Sequence, residues 1–315
     1  MNRVSVVIPC YNAARYVAAT LRSVISQAGV EMQVIVVDDG STDGSAELVR
    51  SEFPDVTLVQ QPNQGVAAAR NRGVQHAVHD WVAFVDADDI WLPGKLQAQL
   101  RLLEAHPQAR MAYTSWQVWT SDEPEPAREW LSELQAGGDK MPTWIGPSGW
   151  IYPELLLICE VWTSTVLARR SLLEELGGFD PTLRIGEDWD LWLRASRVTQ
   201  ILQVPKPLAL YRMHPASITK APPDVNFKHL VLSRAVTRWG YVGPDGRSVS
   251  RVAFRRSQAR TWSDLAIARL KVGDLARARH DAAMAVRTAP GYRRGWTVLA
   301  KTLVQSIMRD RISIG

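Results

Sequence analysis

An α/β fold with a mostly parallel central sheet, followed by an α-helical region, is predicted by three observations on this 315-residue chain. Short apolar runs alternate with helix-patterned segments near the N-terminus, the signature of right-handed crossovers between parallel strands. Carboxylates gather just after those runs, at Asp38-Asp39 and at Asp86-Ala87-Asp88-Asp89, where the carboxyl ends of strands in an open α/β sheet form the ligand crevice. Beyond Pro222-Pro223 the strand patterns stop and helical ones continue. Two parts are therefore expected, 1–220 as the α/β domain and 221–315 as a helical region.

Val4 to Ile8 reads as the first strand, closed by a turn at Pro9 to Asn12. Ala14 to Gln27 follows as a helix, because Tyr16, Val17, Thr20, Leu21, Val24 and Ile25 recur at helical spacing. Gln33 to Val37 is the second strand, ending at Asp38-Asp39-Gly40-Ser41; Thr42 or Asp43 is placed to cap the helix running to about Glu52. Val56 to Gln60 is a third strand, Gly65 to Ala77 a third helix, and Trp81 to Val85 a fourth strand leading into the acidic tetrad. If that strand continues, Asp86 and Asp88 point the same way and suit a shared divalent cation. The rival reading of Asp88-Asp89 before Ile90-Trp91-Leu92-Pro93 is a helix cap.

The stretch 113–162 carries six tryptophans, Trp116, Trp119, Trp130, Trp144, Trp150 and Trp162, among prolines at 124, 126, 142, 147 and 153. It is expected to be irregular, its indoles either stacking on a sugar or acceptor or building core. Order returns with a helix at Leu172 to Leu176 stopped by Gly177-Gly178, a loop-to-helix segment at Gly186 to Arg194, and a closing strand from Pro207 to Arg212. Near the C-terminus, Leu265 to Leu270, Gly273-Asp274, Ala276, Ala283 and Pro290 have the pattern of one tetratricopeptide-like hairpin.

Composition excludes several classes. Cys10 and Cys159 give no disulfide framework and suit a reducing compartment. The apolar runs fall far short of the ~18 residues of a membrane span. No charged-then-apolar leader precedes the first strand, so a cytoplasmic protein is expected. There is no Gly-x-Gly-x-x-Gly and no Walker loop. Charge is lopsided: residues 247–315 hold 15 Lys or Arg against 4 Asp or Glu, a net +11, which leaves −6 for residues 1–246 in a chain of net +5. The basic region suits either a solvated helical face or an anionic membrane surface; no nucleic-acid module precedes it.

Six ordered blocks resemble family 2 glycosyltransferases: Val4 to Asn12, Val36 to Asp43, Asn63 to Gly73, Asp86 to Asp89, Gly186 to Leu191 and Tyr211 to Ser217, across about residues 3–220. The resemblance implies a GT-A fold and inverting transfer of a sugar from a nucleotide-diphosphate donor, a UDP- or dTDP-sugar, to a saccharide or lipid-linked acceptor in polysaccharide, glycolipid or envelope glycan synthesis. It implies that Pro9, Tyr11 and Asn12 line the donor's base pocket and that Asp39 accepts from the base. Asp86, with Ala87 beside it, would hold the ribose or base side, and Asp88 with Asp89 would hold Mg2+ or Mn2+ on the diphosphate. His214 would face the diphosphate or the metal, or else serve structure. Arg70 and Arg72 would hold the diphosphate or Asp39, or else pair on the surface. Asp188 is the candidate general base, with Glu187 and Asp190 as rivals, Asp190 being placed to cap the helix and Glu187 to organise the loop. A pyrophosphorylase would need a Gly-rich basic loop where Pro9-Cys10-Tyr11-Asn12 stands. A silent binding protein working through its helical tail would have lost one of these acids, and all are present. A peripheral attachment to the inner face of the membrane through the basic tail completes the expectation.

Overall fold

The structure is a computed structural model that describes residues 3–121, 123–127, 130–131, 145–214 and 222–312. Trp144, Pro142 and the end of the last motif, Pro215-Ala216-Ser217, lie outside the described residues. The chain divides into two compact units, residues 1–151 with 159–215, and residues 152–158 with 216–315.

The first unit is built on an eight-stranded sheet of order β3-β2-β1-β4-β7-β6-β8-β5. Its first half is parallel: β1 (Arg3–Cys10) lies between β2 (Glu31–Asp38) and β4 (Trp81–Phe84), and β3 (Thr57–Gln60) forms the edge. Both faces of β1 are covered, which is why Val4 to Cys10 are buried without alternation. Val4, Val6 and Ile8 pack with Val17, Leu21 and Val24 of helix α1 (Val17–Ile25). On the opposite face helix α3 (Val66–His76) approaches so closely that a Cβ on Gly73 would stand 2.3 Å from Val7 Cγ1. Helix α2 (Ser45–Glu52) connects β2 to β3; Gly44 takes its N-cap position, and Asp43 serves from one residue further out by accepting from the Ser45 N–H at 3.0 Å.

The second half of the sheet mixes directions. After β5 (Ile90–Trp91) and helix α4 (Lys95–Ala105) comes β6 (Met111–Thr120), a ten-residue strand where irregular structure was expected. The prolines that suggested irregularity begin only at Pro124, and Met111 to Ser115 carry a buried strand sequence. Strand β7 (Leu167–Arg169) runs antiparallel to both β4 and β6. Helices α6 (Arg170–Glu175) and α7 (Glu187–Ala195) follow. The final strand β8 (Ile201–Met213) is parallel to β6 and antiparallel to β5. The β6–β8 register shifts between Thr114↔Val204 and Ser115↔Pro207, because Pro205 and Pro207 cannot donate to the ladder and the strand bulges there.

The second unit is helical. The short helix α5 (Tyr152–Leu155) belongs with it: Tyr152 Oη donates to the Gly240 carbonyl (2.8 Å) and Arg247 pairs with Glu154. The unit continues through α8 (Phe227–Trp239), α9 (Arg251–Lys271), α10 (Leu275–Thr288) and α11 (Arg293–Ile312). Helices α9 and α10 form the hairpin read from the sequence. Asp274 caps the second helix by accepting from the Arg277 N–H (3.2 Å). Small residues meet along the seam: Ala259 with Ala285 and Ala289, and Ala266 with Ala282 and with Val298 of α11. A buried ion pair, Arg269 to Asp281 at 2.8 Å, crosses it. Among the described residues no helix is long and apolar enough to cross a membrane.

Candidate active site

The carboxyl ends of β1 and β2 are sewn together by short polar side chains. Asn12 sits at φ 49°, a left-handed conformation that asparagine tolerates. Its N–H donates to Ser41 Oγ and its Oδ1 accepts from the Thr42 N–H, both at 2.9 Å. Asp43 accepts from the Ala14 N–H (2.9 Å) as well as from Ser45. Against the upward push of partial burial, these bonds hold its carboxyl below the usual range. Pro9 is buried within β1 opposite Val37, whereas Tyr11 is 51% exposed at the mouth of the crevice. Asp39 is engaged by the protein itself. It is 3% exposed, and its carboxylate already accepts from Gln61 Nε2 and the N–H groups of Gln64 and Gly65, at 2.8 to 2.9 Å. These bonds hold the loop that enters α3.

The acidic tetrad is a turn and not a strand extension. Strand β4 ends at Phe84, and the Asp89 N–H donates back to the Asp86 carbonyl at 3.0 Å. The period of two is therefore broken, and Asp86 and Asp88 go to different partners. Asp86 Oδ1 accepts from Arg70 Nη2 at 2.7 Å, while Asp88 Oδ2 stands 2.9 Å from His214 Nε2. Ala87 is buried and contributes its carbonyl, which with that of Asp89 accepts from Thr20 Oγ1 of α1. Asp89 turns inward, fully buried. Its Oδ2 accepts from Ser164 Oγ (2.5 Å) and Trp162 Nε1 (3.1 Å), and its Oδ1 from the Arg212 N–H (3.0 Å). Both oxygens of Asp89 thus accept from protein donors and anchor the turn. Burial pushes the carboxyls of Asp88 and Asp89 upward, and the neighbouring acids push in the same direction.

Arg212 completes the frame. Buried in β8, it donates from Nε to the Asp88 carbonyl (2.6 Å) and from Nη2 to the Pro124 carbonyl (2.8 Å). Its guanidinium lies over the rings of Tyr16 (4.6 Å) and Trp119 (4.1 Å). Tyr16 in turn packs on His214, with ring centroids 4.7 Å apart.

Helix α7 opens the other side of the site. Gly186, at φ 84°, makes a left-handed turn that L side chains rarely adopt, and delivers Glu187 and Asp188 into the first helical turn. Arg70 of α3 reaches Glu187 Oε1 at 2.6 Å with Nη1 while holding Asp86 with Nη2. This guanidinium is 4% exposed, so it is a buried fork between two acids and not a surface cation. Arg72, by contrast, bonds Gln75 on the same helix at 3.4 Å. Burial, then the Asp188 charge, push the Glu187 carboxyl up to about 7 against the opposing pull of Arg70. Asp188 Oδ2 accepts from Thr163 Oγ1 (3.0 Å), and burial raises its carboxyl too, Arg70 opposing. Asp190 does not cap the helix; it pairs with Arg194 one turn on at 2.7 Å.

Two hydroxyls escaped the sequence reading. Thr163 touches Asp188, and Ser164 touches Asp89 while accepting from the Asp86 N–H at 3.0 Å. One short segment, Trp162 to Thr165, therefore links the tetrad to the start of α7. Its signal was a Thr-Ser-Thr run set directly before the apolar strand at 166–168. The indoles of 113–162 do not share one fate. Trp162 bonds Asp89 and packs on Tyr211 (4.1 Å), and Trp116 packs on Trp162 (5.6 Å).

Asp88 and His214 are the pair able to hold a cation. Among the described residues no three His, Cys, Asp or Glu side chains gather round one point. That suits Mg2+ or Mn2+, which commonly use one or two protein ligands and take the rest from water and substrate phosphates.

Residues 5–146 match the family model described as glycosyl transferase family 2. An uncharacterized glycosyltransferase of Nostoc sp. is 30% identical over 230 residues, covering 68% of this chain and 66% of that protein. One from Rickettsia felis is 28% identical over 225 residues, 71% of this chain and 35% of the relative. The chain spans about a third of the length of the Rickettsia relatives that it matches. Among solved structures, Staphylococcus aureus TarS 1–349 in complex with UDP-GlcNAc superposes with TM-score 0.63 at 16% identity, over 92% of this chain and 82% of that one. The mannosyltransferase PcManGT of Pyrobaculum calidifontis, in complex with GDP-Man and Mn2+, gives TM-score 0.55 at 19% identity, over 97% and 86%. These structures share the fold.

Proposed function

The chain belongs to glycosyl transferase family 2, and from that premise we propose that it transfers a sugar, with inversion, from a nucleotide-diphosphate sugar to an acceptor hydroxyl. The observation that carries this reading is the Arg70 fork. It ties Asp86, at the donor side, to Glu187, the neighbour of the candidate base, at 2.7 and 2.6 Å. One buried cation thereby sets the spacing between the acids that would face the donor and the acid that would activate the acceptor.

In this mechanism Asp188 takes the proton of the acceptor hydroxyl as its oxygen attacks the anomeric carbon. The bond from that carbon to the diphosphate breaks on the opposite face, and the electron pair leaves with the diphosphate. Burial raises the proton affinity of Asp188 and suits it to this task. Its rivals are engaged elsewhere, Glu187 by Arg70 and Asp190 by Arg194. Asp88 and His214 would hold Mg2+ or Mn2+, which when bound offsets charge developing on the diphosphate. Tyr11 and Asn12, beside Pro9, would border the base. Asp39 would act mostly through the 61–65 loop, with one lone pair left for the base.

The donor is proposed to be a UDP- or dTDP-sugar, and the acceptor a saccharide or lipid-linked saccharide of polysaccharide, glycolipid or envelope glycan synthesis. The neighbouring structures hold UDP-GlcNAc and GDP-Man, so a donor panel must include all three bases. Slow hydrolysis of a UDP- or dTDP-sugar, abolished by chelator and restored by Mn2+ or Mg2+, is the expected result. Undiminished turnover in excess chelator would overturn the metal assignment, and hydrolysis confined to GDP-sugars would overturn the base assignment.

A further inference from the structure

The arginines of the helical unit fall into two sets. Arg269 is buried against Asp281, Arg247 pairs with Glu154 and Asp245, and Arg294 pairs with Asp264 at 2.6 Å. Arg255, Arg256 and Arg293 are exposed, and no ion pair engages them among the described residues. One of these, Arg256, lines an open cavity of about 250 Å3 bounded also by Leu157, Ile158, Ser257, Arg260 and Tyr292. Arg255 and Arg293 adjoin its lining residues in sequence.

Two of the residues that line the cavity, Arg256 and Arg260, are cationic, and its Leu157 is held in place. Ser257 Oγ (2.6 Å) and Arg260 Nη2 (2.9 Å) both donate to the Leu157 carbonyl, which holds the 157–158 segment against α9. Three large apolar side chains stand out to solvent nearby in sequence: Ile158 is 40% exposed, Val252, one turn before Arg256, is 63%, and Trp296, one turn after Tyr292, is 53%. Guanidiniums with spare donors bind phosphate oxygens. Exposed aliphatics with an indole beside such cations match the layered chemistry of a lipid headgroup region.

We propose that this face docks on an anionic membrane, with lipid phosphates at Arg255, Arg256, Arg260 and Arg293 and with Ile158, Val252 and Trp296 entering the interface. The net +11 of residues 247–315 supplies the long-range attraction. The attachment is reversible and salt-sensitive, and it goes beyond the transferase reading. Because the readout is binding, its failure leaves that reading untouched.

The test is co-sedimentation of the full chain with vesicles of phosphatidylcholine alone or phosphatidylcholine mixed with phosphatidylglycerol, at low and high salt. Binding to the anionic vesicles at low salt is expected, falling more than about tenfold at high salt as the charges are screened. The triple variant Arg255→Glu, Arg256→Glu, Arg293→Glu should lose binding on the order of 100-fold or more, with an unchanged thermal unfolding midpoint. Trp296→Ala should weaken binding and leave its salt dependence intact. Equal binding to both vesicle types, none at low salt, or none of it lost in the triple variant overturns the proposal. So would RNA that displaces the protein from vesicles and is itself lost by the triple variant, or self-association lost by the same variant, since either identifies a different occupant.

Discussion

The two units handle charge in opposite ways. Around the acidic tetrad the charges are buried or half-buried and held by named partners: Arg70 by Asp86 and Glu187, Asp88 by His214, Asp89 by Ser164, Trp162 and the Arg212 backbone. On the helical unit Arg255, Arg256 and Arg293 stand in water without acids. A buried charge is expensive to leave unpaired, so each member of the first network matters singly and geometry decides its role. Exposed charges are screened and act as a sum, so no single one matters much. The contrast separates a part of the chain fit for chemistry from a part fit for attachment.

The contrast is tested most severely at Asp188. Asp188→Asn keeps the shape and the Thr163 contact but cannot take a proton, so turnover should fall ~10²–10⁴-fold with donor affinity nearly unchanged in titration calorimetry. A loss of only a few-fold there, with a large one in Glu187→Gln, would move the base by one residue.

Next in size is the fork. Arg70→Ala leaves the buried Glu187 and the half-buried Asp86 without their cation, and urea unfolding should show a loss of about 3–5 kcal/mol. Arg70→Lys should recover part of it, since one ammonium cannot repeat a two-pronged contact. A surface arginine such as Arg255 changed to Ala should move stability by no more than about 0.5 kcal/mol. If Arg70 behaves like Arg255, the distinction between the two regions fails.

The pH dependence sharpens the same point. Glu187 is raised in the folded protein from 4.5 to about 7, so the native state binds more protons than the unfolded one between those values. Its contribution is present in full below about 4.5 and is lost as pH rises through about 7. Chemical unfolding across that window should show this component, and Glu187→Gln should flatten it. A rise in stability over the window that Glu187→Gln removes would mean that Arg70 dominates over burial.

Smallest is Asp190→Asn. Removing a one-turn pair with Arg194 should cost about 0.5 kcal/mol and leave turnover within a few-fold. A collapse of activity would restore Asp190 as a contender for the base.

Much of this site was legible from residue order. The apolar runs at Val4–Ile8, Gln33–Val37 and Trp81–Val85 carry strand patterns, and acids directly following them lie at strand ends whatever the details of packing. Strand β6 was misread because the tryptophans and prolines of 113–162 were weighed together, although the prolines lie beyond the strand. Thr163 and Ser164 passed unnoticed because a hydroxyl carries no pattern until its partner is known.

The sequence by itself determined the alternation of strands and helices, the acids at the crevice and the basic helical end, because these depend on local periodicity and on the count of charges. Only the tertiary structure decided which acid does what. Asp86, Asp88 and Asp89 are near neighbours in one turn, yet one is claimed by Arg70, one faces His214 and one is sealed inside by Arg212, a residue 123 positions away. A carboxylate's role follows from the donors that reach it and the water it has lost. Both are set by segments that meet only when the sheet closes.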